Sequence, residues 1–261
     1  MRIERRITFI IGTEGFASWK LNRLNTLSGY FRSVVILKNI STGKSCNVNH
    51  TLQVLSLGSK NNHLCQLWIE GSDAELACMI LTDFIADEFE IVNTSHRRAT
   101  QHSYSVIDNH ATFQLDFPLS YHYAEMAQGP APAKHAVLSK ISSMLDQTNA
   151  QLIFEAMLTR EGISSTCVGQ GIALPHIMTA HAKQASVAVI HSKTDIDWHS
   201  ARGDVNIVIA MMLPDPAPMP LIKAFTQLSR ALVDDQFCNL VATTVEPEAL
   251  KAFLLHKMAF S

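Results

Sequence analysis

The chain has 261 residues, of which 47% are hydrophobic and 17% charged, and its formal net charge is −2. That length accommodates one large domain or two ordinary ones, and the apolar fraction can fill a real core. A charge this close to neutral leaves no basic footprint for nucleic acid or an anionic membrane surface, and an apolar run such as VNIVIAMMLP (205–214) is far too short to span a bilayer.

The opening residues MRIERRITFI carry charge but no long apolar stretch and no small-residue cleavage site, so no secretory signal is expected. Residues 6–11 (RITFII) read as a strand. Residues 17–29 place apolar side chains at Leu21, Leu24 and Leu27 ahead of Gly29, the spacing and stop of a helix. SVVILK (33–38) is a β-branched strand, TGKS (42–45) a turn leading to a short strand, HTLQVLSLG (50–58) a short helix and HLCQLWIEG (63–71) a strand. A long helix follows over 72–89, with Ser72 and Glu75 in capping-box spacing. Residues 93–110 are polar and aperiodic and read as a linker, and QGPAPAK (128–134) is a second break. Helices are expected over 133–146 and 149–160. The near-continuous apolar runs at 186–192 and 205–213 have the character of buried strands. DPAPMP (215–220) is a loop, and amphipathic helices are expected over 221–234 and 246–258. Strands alternating with helices point to an α/β sheet domain over 111–261.

The five cysteines, Cys46, Cys65, Cys78, Cys167 and Cys238, are odd in number and none is spaced C-x-x-C. Reduced thiols are expected, in keeping with a cytoplasmic protein, not a disulfide framework or zinc site. Of the twelve histidines, His176 and His181 are five residues apart and His191 and His199 eight. Neither spacing sets two rings on one helix face, so no metal is expected, and nothing calls for a cofactor.

GQGIALPH (169–176) sends two glycines, an apolar run and a proline into one histidine. A turn with an incidental histidine is one account. The other is a backbone stiffened to present an imidazole: Pro175 fixes its own φ and biases Leu174 to extended geometry, and Gly169 and Gly171 permit close backbone approach.

With the residues before it, this stretch (MLTREGISSTCVGQGIALPH, 157–176) resembles the active-site segment of the fructose–mannitol class of enzyme IIA domains, and their nitrogen-regulatory relatives, of the bacterial phosphotransferase system. Arg160, Glu161, Ser165, Thr166, Gly169, Gly171, Ile172, Ala173, Pro175 and His176 carry the match. The resemblance implies that His176 accepts a phosphoryl group, with Gly169, Gly171 and Pro175 supporting the phosphate loop. Arg160 then pairs with the added charge of roughly −1.5 to −2, unless it is only a cation facing its helix dipole. Thr166 is either a third site residue or a turn hydroxyl, and Cys167 an incidental thiol. The chain departs from the family at Ile177, where a small residue is usual, and at Leu221, where a second histidine normally opens the penultimate helix. His181 and His199 are the candidates to replace that histidine from elsewhere.

The order of elements in the first half, with Gly15 and Gly58 at their places, resembles HPr, the small phosphocarrier that donates to enzyme IIA. Its Gly-Leu-His-x-Arg-Pro signature is replaced here by Gly15, Phe16, Ala17, Ser18, Trp19 and Lys20, so the phosphorylated histidine falls at Ala17. The place of a regulatory serine falls near His50.

Together these imply an α/β protein: an HPr-like open-faced α/β sandwich lacking the phosphoacceptor (1–92), a linker (93–110), and an enzyme IIA-like mixed sheet flanked by helices (111–261). The function implied is that of a phosphotransferase-system enzyme IIA-like protein in sugar uptake or its regulation. It is phosphorylated on His176 by an HPr-type phosphocarrier, with a sugar permease or a regulatory protein as the further partner, and without nucleic acid or direct membrane insertion. The alternative is a regulatory binding protein that uses the enzyme IIA fold without sugar phosphotransfer, and a fold relic without phosphotransfer stands behind both.

Overall fold

Contacts in the computed structural model, which describes residues 3–95 and 101–259, divide the chain into two units. Unit 1 is Met1–Gln114 with Thr244–Ser261, and unit 2 is Leu115–Thr243.

Unit 1 runs β1 (Ile3–Ile10), α1 (Ser18–Ser28), β2 (Val34–Asn39), β3 (Lys44–Asn47), α2 (Thr51–Ser56), β4 (Leu64–Gly71), α3 (Ala74–Glu88) and β5 (Glu90–Thr94). Through α3 this is the order read from the sequence. The strands form an antiparallel sheet in the order β3-β2-β4-β1-β5. The two-residue period of the strands sorts their side chains. Ile7, Phe9, Leu67 and Ile69 join Leu24, Leu81 and Ile85 of the helices in one buried cluster. The alternate residues Arg6, Thr8 and Gln66 belong to the other face, where Gln66 Nε2 donates to Thr8 Oγ1 at 2.9 Å and the Arg6 guanidinium lies 4.2 Å from the Trp68 ring.

The capping box expected at α3 does not form. Asp73, not Ser72, is the N-cap residue and makes no side-chain cap. Its carboxylate instead accepts from the amides of Arg32 (2.8 Å) and Ser33 (2.9 Å) and from the Ser33 hydroxyl, tying the helix start to the entry of β2. The Ser33 hydroxyl first, then the Arg32 amide, hold this carboxyl below its usual range. Glu75 pairs with Arg5 of β1.

Residues 93–110, expected as an irregular linker, contain the end of β5 and a helix, α4 (Gln101–Asn109), followed by a 3-10 turn at Ala111–Phe113. Val106, Ile107 and Phe113 are buried. So few apolar residues in a polar stretch leave little period to read, yet they suffice to dock it.

Unit 2 comprises β6 (Leu119–Met126), α5 (Lys134–Leu145), α6 (Ala150–Ile163), β7 (Cys167–Gly169), β8 (Ile172–Ala173), β9 (His176–Thr179), β10 (Ala185–Ile196), β11 (Val205–Pro214), α7 (Met219–Val233) and α8 (Asp235–Ala242). The sheet is ordered β6-β10-β11-β8-β7, with β9 also on β11. It is mixed, as expected: β10 and β11 are antiparallel, whereas β6 on β10 and β8 and β9 on β11 are parallel. Val137, Ile141, Ile153 and Met157 of α5 and α6 pack on Ala188, Ile190 and Val208 of the central strands. Helix α8 starts on a local cap: the Asp234 carboxylate accepts from the amides of Gln236 and Phe237 at 3.1 and 3.0 Å, an N-cap directly after α7.

The final helix, α9 (Pro247–Ala259), was expected to belong with the second half. Its contacts lie with β5, α4 and the turn at Ala111–Phe113, all in unit 1. Phe253 and Leu254 are buried there, Lys257 Nζ donates to the Ile40 carbonyl at 2.8 Å, and the Arg6 guanidinium donates to Thr244 Oγ1 at 3.2 Å.

His256 of α9 is fully buried, 2.8 Å through Nε2 from Ser41 Oγ. That oxygen also accepts from the Leu64 amide at 2.9 Å. Burial, then the nearby Lys257 ammonium, push the His256 pKa from 6.5 down to about 3. The unfolded histidine thus binds a proton near pH 6.5 and the folded one only near 3, so stability falls as pH drops through that window. The expected loss from this group is about 2 kcal/mol between pH 7 and pH 5. Urea unfolding of the wild-type and His256→Gln chains should show that slope in the first and its absence in the second.

Among the described residues, no helix is long and apolar enough to cross a membrane.

Candidate functional site

The stretch 166–179 is built around a hairpin and a proline. Strands β7 and β8 pair antiparallel, with Cys167 opposite Ala173 and Gly169 opposite Ile172. The tip between them holds three consecutive positive φ values: Gly169 at 107°, Gln170 at 52° and Gly171 at 75°. At Gly171 a Cβ would also lie 2.8 Å from Asn206 Oδ1, so glycine is required twice over. Its carbonyl accepts from the amides of Asn206 (2.8 Å) and Ile207 (3.0 Å), which docks the tip on β11. Both glycines turn the chain and dock it. Neither lines a cavity with His176.

Strands β8 and β9 keep one register against β11: Ile172 opposite Ile207, Ala173 opposite Val208 and His176 opposite Met211. They are a single strand interrupted at Pro175, which has no N–H to give the ladder. The Pro175 carbonyl still accepts from Met211 N at 2.9 Å. Strand alternation then buries Ile177 and turns His176 and Met178 outward. His176 Nδ1 lies 2.9 Å from the Leu174 carbonyl. A carbonyl can only accept, so Nδ1 carries the hydrogen, and in the neutral ring Nε2 keeps its lone pair.

His176 stands where two cavities meet. One is an apolar groove of about 980 Å3 between α6 and α7, walled by residues such as Ile163, Met178, Ile222, Phe225 and Val233. The other is a polar cavity of about 410 Å3, lined by Ser165, Thr166, Ser200 and Arg202. Arg160 borders both. It sits in the last turn of α6, and its Nη1 donates to the Ser164 carbonyl at 3.1 Å and to Ser164 Oγ at 3.2 Å. Its remaining N–H groups are not held by those two bonds.

Thr166 lies in the same wall, but its hydroxyl donates to Glu161 Oε2 at 2.5 Å and its amide to both Glu161 oxygens at 3.1 and 3.2 Å. Glu161 is buried and is paired by Lys134 Nζ at 2.8 Å, which also donates to the Trp198 carbonyl at 3.0 Å. This carboxylate therefore ties α5, the end of α6, the turn before β7 and the segment after β10. Its part was missed in the sequence, although Glu161 sits in the matched motif, because its burial and its lysine are set by tertiary packing.

Leu221, at the place of the family's second histidine, is a buried side chain of α7. His181 lines neither cavity, nor does His199, whose Nδ1 is 3.0 Å from Asp197 Oδ2. Cys167 is buried with its thiol toward the Gly203 carbonyl at 3.9 Å. Burial pushes the thiols of Cys65 and Cys238 up to about 12 and about 11, so they are unreactive as thiolates near neutral pH. In unit 1, Ala17 is the N-cap residue of α1, Lys20 is buried between Glu14 (3.1 Å) and Glu88 (3.4 Å), and His50 is exposed beside Gln53.

Residues 125–257 match the family described as phosphoenolpyruvate-dependent sugar phosphotransferase system, EIIA 2. The match ends within α9. Over 106 residues, 41% of this chain, the sequence is 29% identical to a multiphosphoryl transfer protein of Shigella flexneri, of which the matched segment spans only 13%. It is also 29% identical over 108 residues to a nitrogen regulatory protein of Pseudomonas aeruginosa, covering 40% of this chain and 70% of that one. Among solved structures, a histidine-containing phosphocarrier protein of Mycoplasma aligns with 33% of this chain and 93% of its own at 16% identity, with a TM-score of 0.29.

Proposed function

The chain belongs to the EIIA 2 family of the phosphoenolpyruvate-dependent sugar phosphotransferase system, and on that premise we propose that His176 is its phosphoacceptor, loaded by an HPr-type phosphocarrier in the cytoplasm. The observation that carries this is the tautomer. The Leu174 carbonyl holds the Nδ1 hydrogen, so the outward ring offers Nε2 as nucleophile. That lone pair attacks the phosphorus of the donor's protonated phosphohistidine. An N–P bond forms on Nε2, the donor's N–P bond breaks, and its electron pair returns to the donor ring. The proton on each ring stays where it was. Such a transfer needs positioning and charge neutralisation more than covalent help from the protein.

Arg160 supplies part of that charge, since its guanidinium borders the same cavity as the ring. Thr166, with its hydroxyl committed to Glu161, positions the turn and does not touch the phosphoryl group. Pro175 and the two glycines hold the strand on which the ring is mounted. The apolar groove on the other side of His176 is the docking face for the protein donor and for the next acceptor.

A second role is favoured by a specific observation. Leu221 stands where a partnering histidine is expected, and no other histidine lines either cavity around His176. Regulation of a partner protein by the phosphorylation state, in place of onward transfer to a sugar permease, fits that loss, and one relative is named a nitrogen regulatory protein.

Incubation of the full chain with phosphoenolpyruvate, enzyme I and HPr is expected to add one acid-labile phosphoryl group by intact mass. No gain would rule out the phosphoacceptor role. Adding a fructose-type EIIB component then separates the two roles: loss of the group to EIIB supports uptake, and retention supports regulation.

A further inference from the structure

Arg202 is a residue that the phosphotransferase motif does not include, yet it lines the polar cavity beside His176. It comes from the turn between β10 and β11, twenty-six positions after the histidine, whereas Arg160 comes from the end of α6. Its Nη1 donates to the Val168 carbonyl at 2.9 Å, which fixes the guanidinium plane against β7. Arg160 is fixed in the same manner by Ser164. Each fork is thus anchored through one nitrogen, and its other N–H groups remain for a ligand.

The cavity they share is about 410 Å3, with the hydroxyls of Ser165 and Ser200 also in its wall. No carboxylate lines it. The nearest motif carboxylate, Glu161, is buried and neutralised by Lys134. Two guanidinium groups, hydroxyl donors and an imidazole with a free Nε2 suit a dianionic tetrahedral group, and planar forks grip phosphoryl oxygens two at a time. Arg230, by contrast, lines only the apolar groove.

We propose that Arg202 is a catalytic residue: its guanidinium binds the transferring phosphoryl group at His176 together with Arg160, supplying the second cationic partner that Leu221 cannot. This rests on His176 being the phosphoacceptor. The phosphoryl group, still bonded to the donor's phosphohistidine, meets Nε2 at the polar cavity while the rest of the donor's surface packs on the adjoining apolar groove, so charge neutralisation and docking fall on different side chains.

The test is single-turnover phosphorylation of the full chain by a range of phospho-HPr concentrations. Arg202→Gln is expected to lower the saturating rate about 10- to 100-fold. The half-saturating donor concentration should change less than about 3-fold, because the donor docks elsewhere. Arg202→Lys should recover part of the rate, since an ammonium restores charge but not the fork. The phosphorus NMR resonance of phospho-His176 should shift in Arg202→Gln, which loss of the Val168 bond alone would not produce. Lys193→Gln, which removes a positive charge elsewhere on the unit, should leave rate and resonance as in the wild type.

An unchanged saturating rate in Arg202→Gln would overturn the proposal, as would a loss expressed only in the donor concentration. If Arg202→Gln does not fold, Arg202→Lys decides by the same rate and resonance. A wild-type chain that takes up no phosphoryl group from phospho-HPr would overturn the phosphoacceptor role itself, and this proposal with it.

Discussion

His176→Gln is expected to take up no phosphoryl group from phospho-HPr at any donor concentration. Glutamine keeps an amide hydrogen that can reach the Leu174 carbonyl, so the local hydrogen bond and the strand on β11 are retained. What is lost is the nitrogen lone pair. No second imidazole is placed to take over. Neither cavity holds another histidine, and Ala17, where the resemblance to HPr sets the phosphocarrier histidine, has no nucleophile. Arg160→Ala is expected to be slow but not dead, about 10- to 100-fold down, because a cation stabilises the transfer but does not make the bond. Intact mass after reaction reads both. Acid-labile phosphate persisting in His176→Gln would mean that the acceptor lies elsewhere, and fragment masses would locate it.

The largest effect on stability is expected at Glu161. Its side chain is 5% exposed and that of Lys134 17%, so the pair is held largely out of water. Glu161→Ala leaves a largely buried ammonium without its carboxylate and also strips the Thr166 amide and hydroxyl of their acceptor. Removing one member of a buried pair costs about 3–5 kcal/mol. Replacing both charges with apolar side chains, as in Glu161→Met with Lys134→Met, should cost less than Glu161→Ala alone, because no uncompensated charge remains. Urea unfolding read by Trp198, in a background with Trp19 and Trp68 changed to phenylalanine, confines the signal to unit 2. A double variant as unstable as Glu161→Ala would show that the two charges do not act as a pair.

The pattern of the sequence carried the elements whose signal is local. Helices α1, α3, α5, α6 and α7 and strands β2, β4, β10 and β11 each announce themselves by apolar spacing. His176 was legible because its environment is made by its own neighbours, a proline before it and glycines a few residues earlier. Strands β7, β8 and β9 were not, because two to four residues hold no period: β8 and β9 are made strands by β11, some thirty-five residues on, and β7 by its pairing with β8. Strand β6 alternates Leu119, Tyr121 and Tyr123 with Ser120 and His122, but the alternation ends after five residues and the strand is only half-buried, so its signal is weak. Glu161 and Arg202 gain their meaning from partners brought near by folding, Lys134 for the first and the His176 cavity for the second. The Ser72–Glu75 spacing misled for the converse reason: a valid local cap lost to Asp73, whose partners, Arg32 and Ser33, are forty residues away.

The return of α9 to unit 1 also sets an order of manufacture. Unit 2 lies wholly between the two stretches that make unit 1. A chain growing at about 5–20 residues per second reaches Ala259 roughly 7 to 30 s after it has passed Gln114. Through that interval the sheet that begins the protein has no α9 beside β5, and His256 has not yet met Ser41. The half translated first is therefore the half completed last.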